Sequence, residues 1–236
     1  MIEAVPAGPS PRQEWSLQQH QEAWIEAEGS YWPNDYQGKG EPGSIRYAKR
    51  DLPLVFAAPH AVVHHREGVR KKADKATGGL AESTAVFING SFVATAGVQS
   101  GDPSFDRDVT AFKQALFGML TPASIVIDLH GMSDQHGLDL CFGTGADSTD
   151  RARALSEIGA ITASDQGLVA RINDPFTGSR EEGITVSAQR RGSAAVQIEI
   201  AARFREPLFE AAPARVLLRW FRTYVDRLQQ ELGVCL

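Results

Sequence analysis

The sequence predicts an α/β fold, a three-layer sandwich in which a central mixed, mostly parallel sheet is flanked by helices. Two observations carry this. From Leu52 onward, short apolar runs end in polar or glycine-rich turns and alternate with helix-like segments, which is how layered α/β domains read. Three of the clearest runs also end in, or contain, an ionisable residue, as strands do where their carboxyl ends border a ligand site. A chain of 236 residues suits one generous domain and can bury roughly 70% of its unfolded surface.

Taken in order, residues 1–50 differ from the rest and read as a lead-in packed on the body formed by 51–236. They hold a proline-rich start, a polar helix-compatible stretch Ser16 to Glu28, and an aromatic, glycine-containing loop Tyr31 to Gly43. Trp15, Trp24 and Trp32 are expected to dock this segment, since so much exposed indole is costly. LPLVFAAPH reads as a buried strand, Leu80 to Ile88 as a helix, and Phe92 to Ala96 as a strand. Val109 to Leu120 reads as an amphipathic helix with a glycine near its end, and SIVIDLH as the clearest strand. LDLCFGTG, Leu168 to Ile172 and AAVQIEIA are further strands, with a helix from Ser148 to Gly159 between the first two. Pro213 to Leu232 is a long amphipathic helix, with proline in its first turn and Gly233 as its stop.

Composition narrows the partners. A formal net charge of −5 argues against nucleic acid, whose binding needs a strong cationic footprint, and favours a small molecule or short peptide. Cys141 and Cys235 lie far apart, so neither a disulfide framework nor a CxxC metal site is expected. The N-terminus lacks the basic and apolar regions of a signal peptide, and no run is long enough to span a bilayer, so a cytoplasmic address is expected.

The chemistry lies at the strand ends. His60 closes LPLVFAAPH, Asp128 and His130 close SIVIDLH, and Glu199 interrupts AVQIEI. A carboxylate buried on an apolar strand is expensive unless a cation or donor neutralises it, and one shared metal ion would neutralise several such groups together. Zinc in hydrolases takes three nitrogen or oxygen donors and leaves a position for water. Two histidines and a carboxylate meet that need, and a free carboxylate such as Glu199 can carry the proton to the leaving amine. Asp128 and His130, two apart on a strand, face the same side. The third ligand is open: Glu82 in TGGLAEST could be aimed inward by the first turn of a helix, and Asp74 is the alternative. KKADKATGG lacks the order of a phosphate-binding P-loop and reads as a solvated loop flanking the site. No GxSxG elbow supports a serine hydrolase.

PH near the end of an early strand, IDLHGM, LDLCFGTG, ARINDPFTG and AVQIEIAARFRE occur in the order found in the N-formylglutamate amidohydrolase family, which this chain resembles over roughly residues 50 to 210. The resemblance implies a zinc-exopeptidase-like fold of the carboxypeptidase and aspartoacylase superfamily. It implies His60 and His130 as zinc ligands, Glu82 as the carboxylate ligand, Glu199 as the catalytic glutamate and Asp128 as the residue orienting a ligand histidine. His60 is followed by AVV, so the tight HxxE spacing of the carboxypeptidases is absent. Relatives hold a substrate carboxylate with arginine, whose planar fork suits it. Arg66 and Arg171 are the first candidates, with Arg190, Arg107 and Arg191 also near the site elements. The expected activity is zinc-dependent hydrolysis of an N-acyl amino acid amide. A peptidase or amidase acting on a γ-glutamyl or cell-wall peptide, and a non-catalytic binding protein on the same fold, are the alternatives.

Overall fold

The computed structural model describes residues 2–4, 16–207 and 211–232; Trp15, Gly233 and Cys235 lie outside them. Eight strands form one sheet: β1 (Ile2–Ala4), β2 (Ile45–Ala48), β3 (Leu52–Ala58), β6 (Gly90–Thr95), β7 (Ile125–Met132), β8 (Leu140–Gly143), β9 (Ala170–Ile172) and β10 (Ala194–Ala201). Their order is β1, β2, β6, β3, β7, β10, β8, β9. Only the β2/β6 and β10/β8 pairs are antiparallel, so the sheet is mixed and mostly parallel. A separate hairpin joins β4 (His64–Arg66) to β5 (Val69–Lys71). The helices are α1 (Leu17–Glu28), α2 (Pro33–Tyr36), α3 (Thr77–Ile88), α4 (Ala111–Phe117), α5 (Asp150–Asp165), α6 (Ile184–Gln189) and α7 (Ala211–Leu232). None of the described helices is long and apolar enough to cross a membrane.

Strand alternation divides the core between two faces. Ile125, Ile127 and Leu129 of β7, with Val196, Ile198 and Ile200 of β10, join the larger core, which also holds residues of α1, α3, α5 and α7. Val126 and Ala195 point the other way, into a smaller core with Phe112 and Leu116 of α4 and Ile184 and Ala188 of α6. Asp128, His130 and Glu199 continue that second face, past Val126 on β7 and Ala195 on β10. A site therefore forms where the smaller core ends.

Several elements differ from the sequence reading. Helix α5 runs past Gly159, because there the absent side chain makes room for the Phe142 ring: a Cβ would stand 2.5 Å from it. Helix α3 starts at Thr77, since Gly79 lets the helix end approach α1, where a Cβ would lie 2.5 Å from the Glu28 carboxylate. The hairpin β4/β5 was hidden by its polar composition. Its turn residues Glu67 and Gly68 both have positive φ, 52° and 76°, as a tight two-residue turn requires. Strand β2 and helix α6 are too short for periodicity to reveal.

Helix α1 begins with a capping box at Ser16 and Gln19 and ends on Glu28, which is fully buried beneath α3. The amides of Gly79 and Ala76 donate to its carboxylate at 2.8 and 3.1 Å. Burial pushes this carboxyl up to about 7, against the pull of those amides, the Tyr36 hydroxyl and Arg205. The folded chain thus holds the Glu28 proton more tightly than the unfolded one. That contribution is fully present below the ordinary value of 4.5 and is lost as pH rises through about 7. Thermal melts across this window should show wild-type stability declining towards neutrality, and Glu28→Gln should flatten the decline. Parallel curves for the two proteins would contradict the assignment.

Candidate active site

His60 stands two residues beyond β3, with Pro59 between, and is 6% exposed. Its Nδ1 lies 3.3 Å from Oδ2 of Asp74, and its Nε2 lies 2.8 Å from Oδ1 of Asp102. On β7, His130 repeats the arrangement: Nδ1 is 3.5 Å from the same Asp74 Oδ2, and Nε2 is 3.0 Å from Oδ1 of Asp128. The two rings meet edge to face with centroids 4.8 Å apart. Each imidazole thus has its Nε2 held by a buried carboxylate while its Nδ1 faces one common oxygen. Asp128 is fixed in turn by the Thr185 hydroxyl of α6, which donates to its Oδ2 at 2.9 Å. Asp102 accepts the Ser104 amide at 2.9 Å and Arg66 Nε at 2.7 Å.

The donor set suits a divalent cation. Zinc bonds of about 2.0–2.1 Å in a tetrahedron put neighbouring ligand atoms about 3.3–3.4 Å apart, and the two Nδ1 to Asp74 contacts are 3.3 and 3.5 Å. The charges agree with this. Burial opposes a charge on His130, yet Asp128, Asp74 and Glu199 together raise its pKa well above the usual range; burial likewise opposes charge on His60, whose pKa Asp102 and Asp74 raise. Although burial alone would raise it, the Asp74 carboxyl is held well below the ordinary range by the two histidines. Imidazoles drawn towards the cationic state by carboxylates can instead be held by a metal as neutral donors, its charge replacing their protons. A further group, His60, His64 and Asp102, brings three donors close together. Here Asp102 is already paired with Arg66, and the His64 ring stacks on His60 at 4.2 Å, so this group braces His60.

Glu199 is the register neighbour of His130 on the adjacent parallel strand, and so lies on the same face. It is 7% exposed, and Gln197 Nε2 donates to its Oε1 at 2.8 Å. Burial pushes its carboxyl up to about 7, with Asp74 and Asp128 adding to that and His130 and His60 opposing it. Gln197 in turn lines a cleft of about 480 Å³ together with Phe176, Thr177, Gly178 and Arg180 among others.

Glu82 is placed elsewhere. Its two carboxylate oxygens accept Arg46 Nη2 at 2.8 Å and Nε at 3.2 Å, and the Tyr31 hydroxyl donates to it at 2.9 Å. Asp74, from the loop before α3, is the carboxylate grouped with His60 and His130. Its amide donates to the His60 carbonyl at 2.8 Å, and the Thr77 hydroxyl donates to its carbonyl at 2.7 Å. Of the arginines, Arg66 borders the site through Asp102 and lies over the Phe105 ring at 4.9 Å. Arg171 pairs with Asp174 at the surface, Arg190 with Asp147 and Glu181, and Arg107 with Glu182. Arg191 lies over Phe117 at 3.4 Å. Cys141 is a buried free thiol.

Sequence reasoning passed over Asp102, Thr185 and Arg180. Asp102 sits in a polar loop, QSGDPSFDRD, where no apolar run marks an acidic residue as out of place. Thr185 lies on a short helix, and Arg180 in a loop that reads as surface, although its guanidinium stacks 3.4 Å above Phe105.

The sequence pattern of the N-formylglutamate amidohydrolase family matches residues 107–204. This span includes Asp128, His130 and Glu199, and the chain resembles that family. The fold is similar to that of an N-formylglutamate amidohydrolase from Ralstonia eutropha, at 16% identity over 79% of this chain and 97% of that one, with a TM-score of 0.55. It is also similar to a bacteriophage poly-γ-glutamate hydrolase, at 16% identity over 81% of this chain and 90% of that one, with a TM-score of 0.53. At that identity these two structures speak to the fold alone. No curated protein matches the sequence. The family match supports an amidohydrolase, an enzyme acting on amide bonds.

Proposed function

We propose that this chain is a zinc-dependent amidohydrolase that cleaves the amide of an N-acyl amino acid, N-formylglutamate being the model substrate. The observation that carries the reading is the convergence of His60 Nδ1 and His130 Nδ1 on Asp74 Oδ2, with the opposite nitrogen of each ring held by a buried carboxylate. His60, His130 and Asp74 would hold the ion. When bound, zinc acidifies a water molecule and polarises the scissile carbonyl. Glu199, on the same face as His130, takes the proton as general base and returns it to the leaving amine. Asp128 and Asp102 fix the tautomer and tilt of the two imidazoles, so that Nδ1 stays free to coordinate.

For the substrate carboxylate we assign Arg66, with Arg180 beside it on the Phe105 ring. Arg171 and Arg190 each lie in surface ion pairs with acidic neighbours. The assignment is tested by assaying the zinc-loaded protein on N-formyl, N-acetyl and γ-glutamyl amino acids. Formate release from N-formylglutamate, abolished by a chelator and restored by zinc, is the expected result. Release only from γ-glutamyl amides would move the substrate class, and chelator-indifferent hydrolysis would overturn the zinc assignment.

A further inference from the structure

Asp74, His130 and Glu199 come from three separate segments, and one side chain bonds to the backbone of all three segments. Arg205, which follows β10, is 8% exposed. Its Nε donates to the Ile200 carbonyl at 3.0 Å, and its two terminal nitrogens donate to the carbonyls of Lys75 and, at 3.4 Å, Met132. Ile200 follows Glu199, Lys75 follows Asp74, and Met132 lies two residues past His130. The guanidinium rests on Gly131, where a Cβ would stand 2.5 Å from Cζ. Because neighbouring strand residues point to opposite faces, Arg205 lies across the sheet from the His130 imidazole. From there it acts on the site only through the backbone.

The same loop is held from its other side. Trp24 Nε1 donates to the Ala76 carbonyl at 2.9 Å, and Glu28 accepts the Ala76 amide. Ala76 itself adopts a left-handed φ of 64°, a conformation that a side-chain-bearing residue keeps only when its surroundings enforce it.

We propose that Arg205 is a positioning residue of the metal centre, its fork of donors locking the Asp74, His130 and Glu199 segments in mutual register. This rests on the metal reading above. A rigid planar guanidinium can serve three carbonyls in fixed directions, whereas the ammonium of lysine keeps the charge without the fork. Gly131 is then required for the approach of that fork.

Zinc affinity measured by competition with a chromophoric chelator, and the visible spectrum of the cobalt-substituted protein, test this without recourse to activity. Arg205→Lys is expected to bind zinc about 10–100-fold more weakly, the range found when partners that orient metal ligands are lost, and to alter the cobalt bands. Leu228→Ala, a cavity in the fully buried face of α7, should keep wild-type affinity and spectrum. Gly131→Ala, which displaces the guanidinium but leaves it in the protein, should weaken zinc as Arg205→Lys does, and it decides the matter if Arg205→Lys does not fold. Wild-type affinity in either variant, or an equal loss in Leu228→Ala, would overturn the role. A wild-type protein that binds no divalent ion would overturn the metal centre and this role with it, whereas tight zinc in both wild type and Arg205→Lys removes only the latter.

Discussion

Asp74→Ala is expected to lose zinc and to lower amide hydrolysis by more than about 100-fold, beyond what the loss of an outer hydrogen-bond partner costs. Glu82→Ala is expected to keep zinc. The two carboxylates are the rival third ligands, and their surroundings separate them. Asp74 Oδ2 lies 3.3 and 3.5 Å from the Nδ1 atoms of His60 and His130. Both oxygens of Glu82 are already taken by Arg46 and Tyr31. Zinc drawn to Glu82 would have to compete with that pair for both oxygens. Removing Glu82 deletes the bonds from Arg46 and Tyr31, so the cost should appear in stability, at about 1–3 kcal/mol. Metal analysis of both variants, with urea unfolding of Glu82→Ala, checks this. Zinc lost from Glu82→Ala and retained by Asp74→Ala would reverse the assignment.

The contrast between these two residues shows where sequence information stops. His60, His130 and Glu199 stand out because each is a polar residue at the end of, or within, an otherwise apolar run, and the cost of burying it there calls for an explanation. The same runs made the sheet legible, since β3, β7 and β10 are apolar on both faces and their lengths suit strands rather than helices. Asp74 lies among lysines in KKADK, where an acidic residue is unremarkable. It reaches the site only because the loop folds back, its amide bonding to the His60 carbonyl. Glu82 has the opposite history. Its helical context suggested an inward carboxylate, and it is indeed buried, but its partner Arg46 belongs to β2, a short strand that composition did not reveal. Asp102 and Thr185 follow the same rule, since their roles depend on contacts across 42 and 57 positions of sequence. Spacing along one chain carries no information about such pairings.

Glu199→Gln is the second large effect, and it separates catalysis from metal binding. The substitution preserves size and the hydrogen-bonding site for Gln197 but cannot accept the proton of an attacking water. Glu199 is not among the grouped ligand residues, so zinc content should be unchanged and the Michaelis constant should move little. The rate constant kcat should fall about 10²–10⁴-fold, the usual contribution of a positioned general base. Burial beside Asp74 and Asp128 keeps this carboxyl more basic than an ordinary glutamate, which suits proton transfer near neutral pH, and an amide at this position has no such basicity to supply. Steady-state kinetics with metal analysis on the same preparation decide between the roles. A variant that keeps kcat within about tenfold of wild type would remove Glu199 as the base, and one that loses zinc together with activity would make it a ligand.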